Sequence, residues 1–105
     1  MRSIEVLRPG VAHALRAPDY VDVRVLSAGV NQAHTVPENA RYVIFSATAD
    51  FFVSYEGAEA VVPVAAVTDG TGNELNPSIR YLKNMAELNL ISPVACTVTM
   101  AFYKA

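Results

Sequence analysis

The chain has 105 residues, of which 52% are hydrophobic and only 17% are charged, whereas an ordinary soluble domain has about 25% charged residues. This length suits one small folded core and excludes two separate domains. The net charge is −2, and no basic residue lies between Arg41 and Arg80, so we expect no nucleic-acid partner, because phosphate binding needs clustered Lys and Arg.

Membrane insertion and export by a cleaved leader are both disfavoured. The longest apolar run, Ala60 to Val67, has eight residues and contains Pro63, whereas a membrane-spanning helix needs about 20. Glu5 lies within what would be the apolar part of a signal peptide. We therefore expect a protein made in the cytoplasm of its cell, with no membrane partner.

Residues 1–18 are predicted to form an N-terminal arm, with a strand at Ile4 to Leu7 and a second short strand at Val11 to Leu15, and further strands follow. Val21, Val23 and Val25 alternate with polar residues, which predicts a half-buried strand with a wet side. Arg41 to Thr48 carries bulky residues on both faces, which predicts a central or doubly covered strand. Thr48 to Asp50 is short enough for a tight hairpin leading into a strand from Phe51 to Glu56.

The second half of the chain continues the pattern. Ala60 to Val64 is predicted to be a short edge strand, because Pro63 limits pairing to one side. Thr68 to Pro77 is the longest loop signal. The remaining strands are predicted at Ile79 to Lys83, Glu87 to Ile91 and Val94 to Tyr103.

Short strands separated by Pro and Gly turns about every 8 to 12 residues predict a β-sandwich or a small barrel. We favour an all-β, antiparallel β-sandwich with little or no helix, and a jelly roll is one form of it. Because no linker or low-complexity segment interrupts the pattern, residues 1–105 are expected to form a single domain.

No motif indicates catalysis, a metal or a cofactor. Cys96 continues the apolar row of the last strand and is predicted to be a core residue. His13 and His34 lack the spacing of a metal site and are predicted to lie in loops or at the surface. Asp69 and Glu74 lie in an oxygen-rich loop without the alternating acids of a calcium loop, so a turn is favoured over calcium. We therefore expect no enzyme.

Most of the aromatic residues are predicted to be core, and a binding surface is the alternative. As a module for host-surface glycans, the chain would use Tyr20, Tyr55 and the loop from Asp69 to Asn76. A small cupin-like enzyme is less favoured, because the histidine cluster of such enzymes is absent here.

The outward row of the last strand carries no charge, and neither does the side of the central strand that faces away from Val43 and Phe45. A solvated sheet face normally carries Lys and Glu, so an uncharged one indicates a protein contact surface. We expect a homo-oligomer, with self-coverage by the same chain as the alternative. The predicted contact residues are Tyr42, Ile44, Thr97, Thr99 and Tyr103.

Three segments, residues 36–53, 69–77 and 91–103, resemble small structural proteins of tailed bacteriophages and prophages, and the resemblance extends over roughly residues 20 to 104. It implies a virion component with a β-sandwich fold, either a head decoration (cement) protein or a collar or tail subunit. The partners implied are other copies of the chain and the phage major capsid protein or other virion subunits. No site residue is implied, because such proteins act through their surfaces.

Overall fold

The computed structural model describes residues 16–55 and 57–104, which form eight β-strands and no helix. The strands are β1 (Tyr20–Leu26), β2 (Gln32–Thr35), β3 (Tyr42–Ala47), β4 (Phe52–Ser54), β5 (Glu74–Leu75), β6 (Ile79–Tyr81), β7 (Glu87–Ile91) and β8 (Cys96–Tyr103). They build two antiparallel sheets: a first sheet in the order β1-β8-β3-β6 and a second in the order β2-β7-β4-β5. The predicted all-β sandwich with little or no helix is confirmed.

The strand pairing is that of a jelly roll. β1 pairs with β8, β2 with β7, β3 with β6 and β4 with β5, so the chain folds as one long antiparallel ribbon. Two further pairings, β3 with β8 and β4 with β7, join the windings of this ribbon into two four-stranded sheets. This arrangement places the first and last strands side by side in the first sheet.

The core lies between the sheets, and β8 contributes most to it. Alternate residues of β8 point inward because successive side chains of a strand leave opposite faces, and these residues are buried: Cys96, Val98, Met100 and Phe102. From the second sheet, Leu88 and Leu90 of β7 meet them with no exposed surface. Cys96 is a core residue, as predicted.

The orientation of β1 is the reverse of the predicted one, in which the valine row is the buried side. Arg24 lies opposite the fully buried Val98, so Asp22 and Arg24 are on the inner side of the strand. Val21, Val23 and Val25 point outward, and Val25 is 75% exposed. The charged residues face inward because a partner from the second sheet, described below, satisfies them.

The hairpin predicted at Thr48 to Asp50 is wrong, because β3 and β4 belong to different sheets. The connection crosses between the sheets, and Phe45 and Phe51 on either side of it pack in the core with their rings 5.7 Å apart. Its carbonyls accept bonds from the chain that leads into β8: Ser92 Oγ donates to the carbonyl of Asp50 over 2.6 Å. Both rings are buried between the sheets.

The edge strand predicted at Ala60 to Val64 is also wrong. These residues belong to a long loop, residues 57–73, which contains no strand. The loop predicted at Thr68 to Pro77 includes β5, and β2 has no counterpart among the predicted strands. Residues 1–15, with most of the predicted arm and His13, lie outside the described residues.

Candidate functional site

Four of the five predicted contact residues share one surface, the outer side of the first sheet. Thr99 lies between Val23 of β1 and Ser46 of β3, and the other positions follow from the same registers. We call this surface the uncharged face. Its residues are Val21, Val23, Val25, Thr97, Thr99, Ala101, Tyr42, Ile44, Ser46, Ile79 and Tyr81.

None of these side chains carries a charge, and many are exposed. Val21, Val23, Tyr42, Ile79 and Tyr81 all have at least two fifths of their surface in solvent. Tyr42 and Tyr81 contact each other at one end, with their ring centroids 5.2 Å apart. The face is therefore an apolar surface of the kind that marks a protein contact.

Tyr103, the fifth predicted contact residue, is covered by its own chain. It continues the outward row of β8, but it is only 8% exposed. Its hydroxyl donates to the carbonyl of Arg16 over 3.0 Å, and the Arg16 guanidinium lies 5.3 Å from the ring centroid. The segment before β1 therefore covers this end of the uncharged face, which the alternation pattern did not reveal.

A polar cluster joins the sheets at the β1–β2 edge. His34 of β2 is 7% exposed, so its predicted place at the surface is wrong. Arg24 Nε donates to His34 Nδ1 over 3.0 Å, and His34 Nε2 lies 2.8 Å from Asp22 Oδ2. Because Nδ1 accepts a hydrogen bond, the proton is on Nε2, which donates to Asp22. The imidazole also stacks on Phe102, with the ring centroids 6.0 Å apart.

A second polar cluster joins the sheets at the opposite edge, between β5 and β6. Arg80 Nε donates to both carboxylate oxygens of Glu74, over 3.0 and 3.1 Å, and the Tyr55 hydroxyl donates to Oε1 over 2.7 Å. The bonds from Arg80 hold the pKa of the Glu74 carboxyl below its usual range. Burial raises the pKa of the Tyr55 hydroxyl, and its bond to Glu74 raises it further. The two edges thus hold their charges between the sheets and away from the uncharged face.

Part of the outer side of the second sheet is covered by the chain itself. Asn89 lies between the inward-pointing Leu88 and Leu90 on β7, so it faces outward, yet it is 3% exposed. Its Oδ1 accepts from Asn31 Nδ2, and Asn31 Oδ1 accepts from the Ala60 amide over 2.8 Å. The long loop therefore crosses over this side of the sandwich.

The long loop also contributes to two surface cavities. One, of about 450 Å³, is lined by Tyr55, Glu74 and the chain from Gly70 to Gly72, among others. The other, of about 460 Å³, lies between Val61 to Val67 and Thr71 to Asn73. Two of the three glycan-binding candidates thus meet in one cavity, whereas Tyr20 stands apart on β1 beneath the Lys104 ammonium.

The two acids of the oxygen-rich loop, Asp69 and Glu74, bond to different partners within the chain. Asp69 Oδ1 accepts from the amide and the hydroxyl of Thr71, over 3.1 and 2.6 Å, as in a turn. These bonds lower the pKa of the Asp69 carboxyl. Glu74 is bonded to Arg80 instead. Residues 16–55 and 57–104 contain no group of three His, Cys, Asp or Glu side chains placed to hold a metal.

Comparison of the chain with protein families, with curated proteins and with solved structures found no match. Within the described part of the chain, no helix has the length and apolar character to cross a membrane. The candidate functional site of the chain is the uncharged face.

Proposed function

We propose that this protein is a structural component of a bacteriophage virion, a head decoration (cement) protein. In this proposal it self-associates through the uncharged face and lies across joints between copies of the major capsid protein. It is made in the cytoplasm of the bacterial host and acts in the virion, without a catalytic step or a cofactor.

The exposed, uncharged outer side of the first sheet carries this proposal. A sheet face that stays in water normally bears Lys or Glu, which keep it soluble and prevent unwanted pairing. Here the charges of β1 and β6 point to the inner side, where Asp22 meets His34 and Arg80 meets Glu74. A second copy of the chain that covers the face buries apolar surface without burying an unpaired charge.

The size of the face suits an assembly of many weak contacts. The four strands have seven, six, three and eight residues, an average of six, so the face spans roughly 20 by 20 Å, at about 4.8 Å between strands and about 3.4 Å per residue. The resulting area of about 400 Å² is half of the roughly 800 Å² per partner in a typical stable pair. Repetition at symmetry-related positions multiplies such contacts through effective concentration.

The assignment to a phage rests on the resemblance in residues 36–53, 69–77 and 91–103. The jelly-roll topology agrees with it, because viral capsid proteins are among the proteins built on this fold. The same fold also serves lectins and cupins, so it does not by itself select a function.

The test is binding to phage heads. We expect the wild-type protein to co-sediment with capsid shells, and a Thr97→Lys/Thr99→Lys variant to remain in the supernatant while keeping its circular dichroism spectrum. Thr35→Lys is the matched control, since Thr35 is an exposed strand residue of the second sheet. Wild-type protein that stays soluble beside intact shells, or a double variant that binds like the control, contradicts the proposal.

Glycan binding is the second candidate, and one observation favours it. Tyr55 and the loop after Asp69 line the same cavity of about 450 Å³, which is within the range of small-ligand sites. The Glu74 carboxylate in that cavity already accepts bonds from Tyr55 and Arg80, which leaves fewer polar groups for a sugar. A glycan array without signal removes this candidate.

A further inference from the structure

The long loop presents an exposed apolar segment. Residues 60–67 contain no charged side chain. Val64 is 99% exposed, and Val61 and Val67 each have more than half of their surface in solvent. Soluble proteins place single apolar residues at the surface, but a continuous exposed run marks a contact site.

Hydrogen bonds anchor this segment near its beginning. Ala60 is buried, and its amide donates to Asn31 Oδ1 over 2.8 Å. Asn73 Nδ2 donates to the carbonyl of Val61 over 2.8 Å, which ties the segment to the residue just before β5. The first two residues of the segment are therefore held in place by the rest of the chain.

The exposed segment begins on the side of the sandwich opposite to the uncharged face. Ala60 is bonded through Asn31 to Asn89 on the outer side of the second sheet, whereas the uncharged face is the outer side of the first. Two packed sheets, about 10 Å apart, separate this starting point from the face of the same chain.

We propose that residues 60–67 of one copy dock on the uncharged face of the next copy. This inference rests on the proposed function, because it names the partner of the face. The two surfaces match in chemistry, since each is valine-rich and without charge, so that contact desolvates no unpaired ion. A face of about 400 Å² is half of the roughly 800 Å² per partner in a typical stable interface, so a single contact of this kind is expected to be weak.

Such a contact is head-to-tail and gives the assembly a direction. Each copy offers one loop and one face, so every contact leaves a free loop at one end and a free face at the other. Contacts of this kind continue until they close into a ring or extend as an array. A face-to-face contact would stop at two copies and leave the loops unused.

The experiment blocks each surface separately and then mixes the variants. Val64→Lys removes the loop contact at a fully exposed position, and Thr97→Lys/Thr99→Lys removes the face. We expect each variant alone to sediment as a monomer, because the contact needs an intact loop and an intact face, and each variant lacks one of the two. An equimolar mixture is expected to form a pair and nothing larger, since only one loop and one face are intact. Thr35→Lys is expected to assemble like wild type.

A single contact between one loop and one face is weak, so a cross-link that traps the contact serves as the second readout. Mixed Val64→Cys and Val23→Cys chains are expected to form a disulfide-linked pair under mild oxidation, more than either chain alone. Val23→Cys chains that cross-link as well alone as in the mixture overturn the head-to-tail contact.

The outcomes separate the two proposals. If Val64→Lys assembles like wild type while the face variant is monomeric, the loop contact is overturned and self-association through the face stands. If the mixture stays monomeric and no cross-link forms between the two cysteine chains, the loop contact is likewise overturned. If the face variant assembles like wild type, or wild type itself is monomeric, the proposed function fails first.

Discussion

His34 Nε2 donates a hydrogen bond to Asp22 Oδ2 over 2.8 Å, and this bond joins an edge strand of the second sheet to an edge strand of the first. His34→Ala removes that bond, leaves Arg24 Nε without its acceptor and opens a space beside Phe102. We expect a loss of about 2 to 3 kcal/mol in the free energy of unfolding, as for other broken buried polar networks. Urea denaturation measures it.

Asp22→Asn is the control for that variant, because an asparagine oxygen also accepts from Nε2. We expect Asp22→Asn to cost about 1 kcal/mol or less. Equal losses for the two variants would mean that the charge, rather than the hydrogen bond and the packed ring, stabilises this edge.

Glu74 makes stability depend on pH in the acid range. The bonds from Arg80 lower the pKa of Glu74 in the folded state below its ordinary value of 4.5, so its contribution is complete above that value and is lost as the pH falls through the folded pKa. Glu74→Gln removes this contribution. We expect the variant to be less stable than wild type at pH 7 by up to about 1 kcal/mol, allowing for solvent screening.

The same comparison at lower pH is the decisive part. The difference in unfolding free energy between wild type and Glu74→Gln is expected to stay constant down to about pH 5 and to shrink at lower pH, because wild-type Glu74 is then protonated as well. A difference that persists unchanged at pH 3 would show that the substitution acts through packing alone.

Cys96 is the only cysteine of the chain, and it is 3% exposed. Its thiol lies 3.4 Å from the carbonyl of Ala49. We expect a thiol reagent such as Ellman's reagent to leave the native protein unmodified and to label one thiol per chain in denaturant, since reactivity requires access and thiolate character. Rapid labelling of the native protein would contradict its place in the core.

The fold class could be predicted because the last strand has a strong alternation. β8 pairs on both sides, with β1 and β3, so its inward row must be apolar throughout. The outward row, with Thr97 and Thr99, lacks charge and lies on the uncharged face. Four of the five predicted contact residues lie together on that face.

The orientation of β1 could not be predicted in the same way. Alternation gives the period of a strand but not which side is buried, and the usual assumption places valines inward. Here His34, which lies in the other sheet and ten residues beyond Arg24, forms hydrogen bonds with the charged side chains of Arg24 and Asp22 on the inner side of β1. No local pattern links these residues, so the polar cluster and the exposed valines were both missed.

Sheet crossings were missed for a related reason. A three-residue connection such as Thr48 to Asp50 fits a hairpin by length, and only the packing of Phe45 on Phe51 between the sheets reveals the crossing. Residues 60–64 are apolar like a strand, but the side chain of Asn31 bonds the Ala60 amide in place of a neighbouring strand.

Sedimentation velocity of the wild-type protein tests the central claim most directly. Over concentrations from micromolar to submillimolar, self-association through the uncharged face predicts a sedimentation coefficient that rises with concentration to values above that of an 11.3 kDa chain. The Thr97→Lys/Thr99→Lys variant is predicted to sediment as that single chain throughout. A wild-type protein that remains an 11.3 kDa monomer over the whole range would contradict the account.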